Sequence, residues 1–517
     1  MKKLLLFSLA LGLGTMAFAQ SPSTQGYKVN TKAPEAITNY DLSSFDVPGP
    51  VNHRKSTKGA ISAVTLGYSN NVYTMLVEQS NCLTVNEDLG LINFTHRGKV
   101  GDNGATSSGD VMHSFSTDGG DTWTTHMLLA NSATHANRYP SGSIYNPSGN
   151  TDVNAASIVY CGPSHNAGDW DNNYFGSGQF DSSNIVNQYI PSYGALVRMG
   201  ITACTDGKVH VVGPAYTATP QTFDTCYIYT GTFNSTTNGF DWTIYKIKDS
   251  DANFVKNTDG SDAAYAWHWN SAWSDDGATG YVWTFGRVQG HDYRSYQPVV
   301  WKTSDHGATW AMETPFDFAT LPIFSNYLQP MRGMTTSRPQ FSSSVDGVVD
   351  ANGYLHLIAT VNAAFSDYCD STSAVDSLGY SYSVAGVDET GHVYNPVFDV
   401  YQTSSGWEAK HLGSVYTVPV DENNCGYGSG SDAITWDERI QAGRTKDGTK
   451  IFAAWADSDT ATAPINVNKL PYNLLPNIIV AAWDINTGKA TAPTNFTLGT
   501  DIDGDCFFHY LSDIVMS

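Results

Sequence analysis

The sequence predicts an all-β protein, a β-propeller of four-stranded blades, and three observations carry that expectation. Short β-rich runs recur along the chain at 89–94, 158–161, 209–212, 281–285, 354–358 and 451–455. Four of them follow an Asp and Gly corner: Thr205-Asp206-Gly207, Asp276-Gly277, Asp350-Ala351-Asn352-Gly353 and Lys446-Asp447-Gly448. The composition, 15% charged and 12% aromatic with 47 glycines, describes short strands joined by polar turns and offers no long helix.

Taken in order, the chain opens with Lys2 and Lys3, an apolar run from Leu4 to Leu13, and Ala17-Phe18-Ala19. This is the charged, apolar and small-residue order of a secretory leader, expected to be cleaved after Ala19. The run is too short to span a bilayer, which takes roughly 20 apolar residues, and no later segment supplies them. Residues 20–60 are rich in Ser, Thr, Pro and Lys, with Pro48-Gly49-Pro50, and read as a mobile approach to a body at 61–517.

Within the body, Asp supplies side-chain acceptors at each corner and Gly tolerates positive φ, so one hairpin is reused in successive units. The uneven separations suit four-stranded blades with loops of unequal length. A single flat sheet of this many strands would curl or expose its edges, whereas radial repetition buries each sheet against its neighbours. Six runs argue for six blades; seven is the alternative, because the tail from Asn477 holds more strands than a half-blade needs.

Two stretches share the pattern Ser/Thr-x-Asp-x-Gly-x-Thr-Trp. They are Ser116-Thr117-Asp118-Gly119-Gly120-Asp121-Thr122-Trp123 and Thr303-Ser304-Asp305-His306-Gly307-Ala308-Thr309-Trp310. The pattern makes a self-contained hairpin: the carboxylate accepts turn amides, the Gly permits positive φ, the hydroxyl closes the loop and the Trp packs inward. On these residues the chain resembles the Asp-box, or bacterial neuraminidase repeat, family of sialidase-like propellers. That resemblance implies a structural role at the blade periphery for Ser116, Asp118, Gly120, Trp123, Thr303, Asp305, Gly307 and Trp310. The leader and the Asp-boxes together are also similar to surface cargo of the type IX secretion route. No carboxy-terminal sorting domain of such cargo is found before Ser517, which leaves a truncated form or another route as the alternatives.

A sialidase site would gather three arginines on the substrate carboxylate, because a guanidinium fork binds it bidentately and stays charged. The candidates are Arg97, Arg287 and Arg338. Arg97 is followed by Gly98 and Lys99 where the family has Arg-Ile-Pro, and an arginine pairing with surface acids explains it as well. Trp267, Trp269 and Trp273 are candidates for a sugar-stacking platform, and their alternation describes a buried strand face equally. Gly426-Tyr427-Gly428-Ser429-Gly430 does not place a nucleophile elbow. Asp501, Asp503 and Asp505 alternate like the start of a calcium loop, but Ser512 stands where the closing Glu would be, so a tight turn is the competing account.

The net charge of −22 disfavours nucleic acid and leaves calcium open. Seven cysteines, Cys82, Cys161, Cys204, Cys226, Cys369, Cys425 and Cys506, are compatible with disulfides in an oxidising compartment, with Cys204 and Cys226 as a candidate hairpin pair. The leading functional expectation is a secreted or surface binding module, with an extracellular glycan as the candidate partner. The rival is an exo-sialidase-type glycoside hydrolase.

Overall fold

The computed structural model describes residues 54–55, 63–70 and 80–516, with breaks at 134, 167–168, 292, 329–336, 364, 367–377, 380–385, 388–392, 418–437, 464–470 and 472. The leader at 1–19, almost all of 20–60, Cys369, Cys425 and the 426–430 motif lie outside the described residues. Among the described residues no helix is long and apolar enough to cross a membrane.

Six antiparallel sheets follow one another along the chain. Blade 1 holds Leu83–Asn86, Leu91–Arg97, Val111–Ser116 and Thr124–Ala130. In blade 2, Ala136–Asn137 and Ser141–Tyr145 both pair with Ser157–Asn166, followed by Asp169–Gly178 and Val186–Pro191. Blade 3 holds Thr202–Ala203, Lys208–Ala218, Gln221–Asn234 and Gly239–Lys248. Blade 4 holds Asn270–Trp273, Gly280–Gly286, Gln297–Thr303 and Ala311–Met312. Blade 5 is built on Pro339–Val349, Leu355–Ala363, Val393–Thr403 and Gly406–Val415. Blade 6 holds Gln441–Thr445, Lys450–Ser458, Pro476–Asp484 and Thr494–Asn495.

The molecule is therefore a six-bladed β-propeller. Each of the six recurrent runs falls at or within the second strand of a blade. Such a strand is covered on both faces, which is why Gly280–Gly286 and Leu355–Ala363 are buried throughout and read as continuous apolar runs. Between blades the core is largely aromatic: Trp269 lies 4.6 Å from Phe223 and 5.1 Å from Trp301, ring centre to ring centre. Trp283 and Trp455 fill the next interfaces.

The surplus tail belongs to ring closure, not to a seventh blade. Ile514–Val515 pairs in parallel with Arg444 and Thr445 on the inner edge of blade 6, beside the first strand of blade 1. On the outer edge, Arg54–Lys55 pairs in parallel with Thr494–Asn495. Blade 6 thus binds both ends of the described chain into one sheet.

Candidate functional site

Because the first strands all run the same way, the ring has two chemically distinct faces. The turns joining first to second and third to fourth strands share one, here the turn face. The connections from second to third strand and from blade to blade share the other.

The turn face carries the aspartates singled out in the sequence. In blade 1, Asp118 Oδ1 accepts from Ser116 Oγ (2.7 Å) and the Thr122 amide (2.9 Å), Asp118 Oδ2 accepts from Thr122 Oγ1 (2.6 Å), and Ser116 Oγ accepts from the Gly120 amide (2.8 Å). Blade 4 repeats this atom for atom with Thr303, Asp305, Gly307 and Thr309, at 2.7, 2.9, 2.6 and 3.1 Å. Gly120 and Gly307 have φ of +101° and +81°, which a side chain would oppose. Trp123 and Trp310 donate their indole N–H to the Gly120 and Gly307 carbonyls. Hydroxyl and amide donors hold Asp118 and Asp305 down at about 2. The same device recurs at Asp276 with Ser274 and at Asp447 with Thr445 and Thr449.

The opposite face collects arginine. Of the ten arginines in the chain, eight have described side chains, and seven of those follow a second strand or lead into a first one. These are Arg97, Arg138, Arg198, Arg287, Arg294, Arg338 and Arg439; Arg444 is the exception. At the axis on this arginine face, the Arg439 guanidinium lies 4.4 Å over the Tyr510 ring and 5.4 Å from Phe508, and its Nε donates to the His509 carbonyl at 2.9 Å. The Tyr510 hydroxyl meets Ser80 Oγ at 2.8 Å, and Cys82 Sγ contacts the Pro140 carbonyl.

Arg97 ends the second strand of blade 1 and is fully buried. Its Nε donates to the Ser108 carbonyl at 2.5 Å and its Nη2 to Ser108 Oγ at 3.3 Å. Burial, and after it the positive charge of Arg138, lower it to about 9. Arg287 and Arg338 belong to the opposite side of the ring: Arg287 follows the second strand of blade 4, and Arg338 leads into blade 5, where it engages the Tyr293 carbonyl and stands 3.8 Å from Asp317. Arg97 and Arg338 take different local partners, and the other guanidinium whose charge acts on Arg97 is Arg138, which the sequence reading did not single out.

The remaining candidates have other surroundings. Trp269 and Trp273 are core residues, Trp273 stacking on His210 at 3.5 Å and meeting Trp310 edge-on. Trp267 is also buried, against His268. Asp503 accepts from Asn477 Nδ2 (3.0 Å) and the Gly499 amide (2.7 Å), which makes it a turn acceptor, while Asp501 and Asp505 are exposed. Among the described residues no three His, Cys, Asp or Glu side chains are grouped to hold a metal.

The disulfide expectation is corrected at its named pair. Cys82, Cys161, Cys204, Cys226 and Cys506 are all buried free thiols. Cys204 sits at the turn beside Lys208, whereas Cys226 faces Pro214. Six residues of strand, about 20 Å, separate those levels, far beyond the ~7 Å a disulfide spans.

Along the axis runs a channel lined by every blade, including Asn81, Ser143, Thr202, Asn270, Asp346 and Gln441. Burial raises Asp346 to about 7, with the charge of Asp513 adding to it, and burial raises Asp513 to about 6. Two such carboxyls would suit acid and base roles, but the channel volume is only about 110 Å³. That is room for about four waters, against the roughly 300–1,000 Å³ of small-molecule sites.

No protein-family profile matches the chain, and no curated relative does. Among solved structures it is similar to an ulvan lyase of polysaccharide lyase family PL25, at 10% identity and a TM-score of 0.40 over 83% of this chain and 87% of that one. A GH43 β-1,3-galactosidase matches at 11% identity and a TM-score of 0.29, over 83% and 79%. An endo-arabinase from Bacteroides thetaiotaomicron matches at 11% identity and a TM-score of 0.27, over 56% and 93%. The propeller assignment rests on the sheet order itself.

Proposed function

We propose that this chain is an exported glycan-binding propeller that takes its ligand on the arginine face. The observation that carries the reading is the segregation of seven of the eight described arginines to one face of a protein with net charge −22. Guanidinium forks and tyrosine hydroxyls are donors for sugar oxygens, and aromatic planes suit the apolar faces of sugar rings. On this reading the Asp-box hairpins belong to a sialidase-like scaffold, and they lie on the face away from the ligand.

Sialidase-type hydrolysis has less support. Two of its three candidate arginines, Arg97 on blade 1 and Arg338 on blade 5, engage separate partners, and the channel holding the two raised carboxyls is too small for a sugar. The test pairs a glycan array with a fluorogenic sialoside assay on the intact exported protein. Binding to defined glycans without release of sialic acid is the expected result. Turnover of the sialoside, or binding to no glycan class, would overturn it.

A further inference from the structure

The connection from blade 2 to blade 3 lies on the arginine face and carries Tyr193, at 60% the most exposed large hydrophobic side chain among the described residues. It stands in a closed turn: the Ala195 amide donates to the Ser192 carbonyl at 2.8 Å, and Tyr193 and Gly194 have φ of +52° and +82°. Two successive positive φ values suit Asn or Gly, and a bulky aromatic at the first of them is strained. The turn is anchored from blade 2. The Ser192 amide donates to the Asp171 carbonyl at 3.0 Å, Ser192 Oγ donates to the Trp170 carbonyl at 3.3 Å, and Asn173 Nδ2 donates to the Ala195 carbonyl at 2.9 Å.

One face of the Tyr193 ring packs on Tyr227, at 6.1 Å between ring centres and 13° between planes, which leaves the other face to solvent. Tyr227 is on the third strand of blade 3, and opposite it on the fourth strand is Lys246, whose Nζ lies 5.0 Å over the Tyr227 ring. Lys246 is exposed and has no carboxylate partner among the described residues; the ion pairs of this region, to Asp249 and Asp262, are made by Lys256. Asp224, the acid whose charge acts on Tyr227, is the unpaired residue of a bulge three positions away along the strand. On the blade 2 side, Trp170 is half-buried and stacks on Tyr139 at 6.0 Å and 18°.

An exposed aromatic ring in a backbone conformation that smaller residues adopt more readily is unfavourable in the free protein, and its solvent-facing plane fits a flat apolar surface of about its own size. The apolar face of a pyranose ring is such a surface, and a sulfate or carboxylate on that ring would meet the unpaired ammonium of Lys246. A protein partner does not fit: a specific interface covers roughly 800 Å² on each side, whereas here one ring is exposed, Trp170 is half-buried and the rest is polar turn.

We propose that Tyr193 is the stacking platform of a saccharide subsite that takes one pyranose ring of an acidic polysaccharide, with Lys246 receiving its sulfate or carboxylate group. The inference rests on the glycan reading for the kind of ligand and adds to it the place where a ring sits, between blades 2 and 3 and on residues other than the arginines. The platform is formed before the ligand arrives, because the turn is hydrogen-bonded to blade 2 and Tyr227 supports the ring from behind.

The experiment is calorimetric titration of the intact protein with dextran sulfate, polygalacturonate and unmodified dextran, with melting temperatures recorded alongside. Wild type, Y193N and K246Q are compared, with Y245A as control, since Tyr245 is also exposed but points to the opposite face of the strand that carries Lys246. Wild type and Y245A should bind dextran sulfate or polygalacturonate and not dextran. Y193N should bind about three- to tenfold more weakly and melt no lower than wild type, because Asn suits the turn. K246Q should weaken binding and reduce its dependence on salt. Unchanged binding in Y193N, or a lower melting temperature that marks Tyr193 as a packing residue, overturns the subsite and leaves the glycan reading standing. Equal binding of dextran and dextran sulfate, or K246Q equal to wild type, overturns the acidic ligand class. Wild type that binds none of the three polysaccharides overturns the glycan reading and the subsite together.

Discussion

On the turn face, Asp118, Asp305 and Asp447 each accept from hydroxyls and amides of their own hairpin, which holds each of them at about 2. On the arginine face, Arg97 has donors left over and a like-charged neighbour. A charge whose hydrogen bonds close locally builds scaffold, whereas guanidiniums gathered on the loops of one face are donors for a ligand. The two faces therefore divide labour within the same six blades, and substitutions on each should separate cleanly in their effects.

The largest stability effect is expected from Asp399→Ala, near the turn side of blades 5 and 6. Asp399 is fully buried, 2.8 Å from His356 Nδ1, and accepts the Trp483 indole N–H at 2.8 Å. Removing one partner of a buried pair costs about 3–5 kcal/mol. Denaturant unfolding should show that loss while ligand affinity measured below the melting temperature stays unchanged. Loss of affinity in the folded variant would break the division between faces.

The pH dependence comes next. Burial alone would lower His356, but Asp399 and Asp350 raise it to about 9. Its contribution is therefore complete below the ordinary 6.5 and is lost as pH rises through about 9. Asp346 and Asp513 are raised by burial to about 7 and 6, so the fold favours their neutral forms and loses stability as pH climbs from the ordinary 3.8 toward 7. Both trends run the same way, while His96, His113, His411 and His509, lowered by burial to about 4, 3, 4 and 3, add stability as pH rises toward 6.5. The decline should therefore show in the melting temperature between pH 7 and pH 9, above the histidine range and carried by His356. Asp346→Asn should gain on wild type as pH rises from 4 to 7 and leave the change between pH 7 and pH 9 as it is.

The box aspartates have the opposite sign. Their stabilisation is present above 3.8 and disappears as pH falls to about 2. A D118N/D305N variant should melt lower than wild type at pH 6, with the gap closing by pH 2. The smallest effect concerns thiols: Cys204 and Cys226 should resist alkylation in the native protein and react after denaturation, with no change in melting temperature under mild reductant.

The fold was legible because the second strand of each blade is covered on both sides, and an Asp and Gly corner precedes most of these strands. The hairpins at Asp118 and Asp305 were legible for a similar reason, since all their bonds fall within eight consecutive residues. The arginine face was not legible in this way. Arg97 and Arg138 lie on the consecutive blades 1 and 2, and Arg439 is brought to the same face from blade 6, where Ile514–Val515 closes the ring. A usable signal was present in their placement: each stands at the end of a strand opposite to the Asp and Gly corners. Trp269 and Trp273 misled in the other direction, because the alternation that suits a stacking platform also describes side chains packed between blades.

Hydrogen–deuterium exchange of the intact protein, with and without dextran sulfate, tests the division most directly. Protection confined to peptides at Arg97–Asp110, at Asn137–Tyr139, at Ser192–Ala195 and around Arg439 is the predicted result. Protection of the hairpins at Ser116–Trp123 and Thr303–Trp310, with the arginine face unaffected, would contradict it.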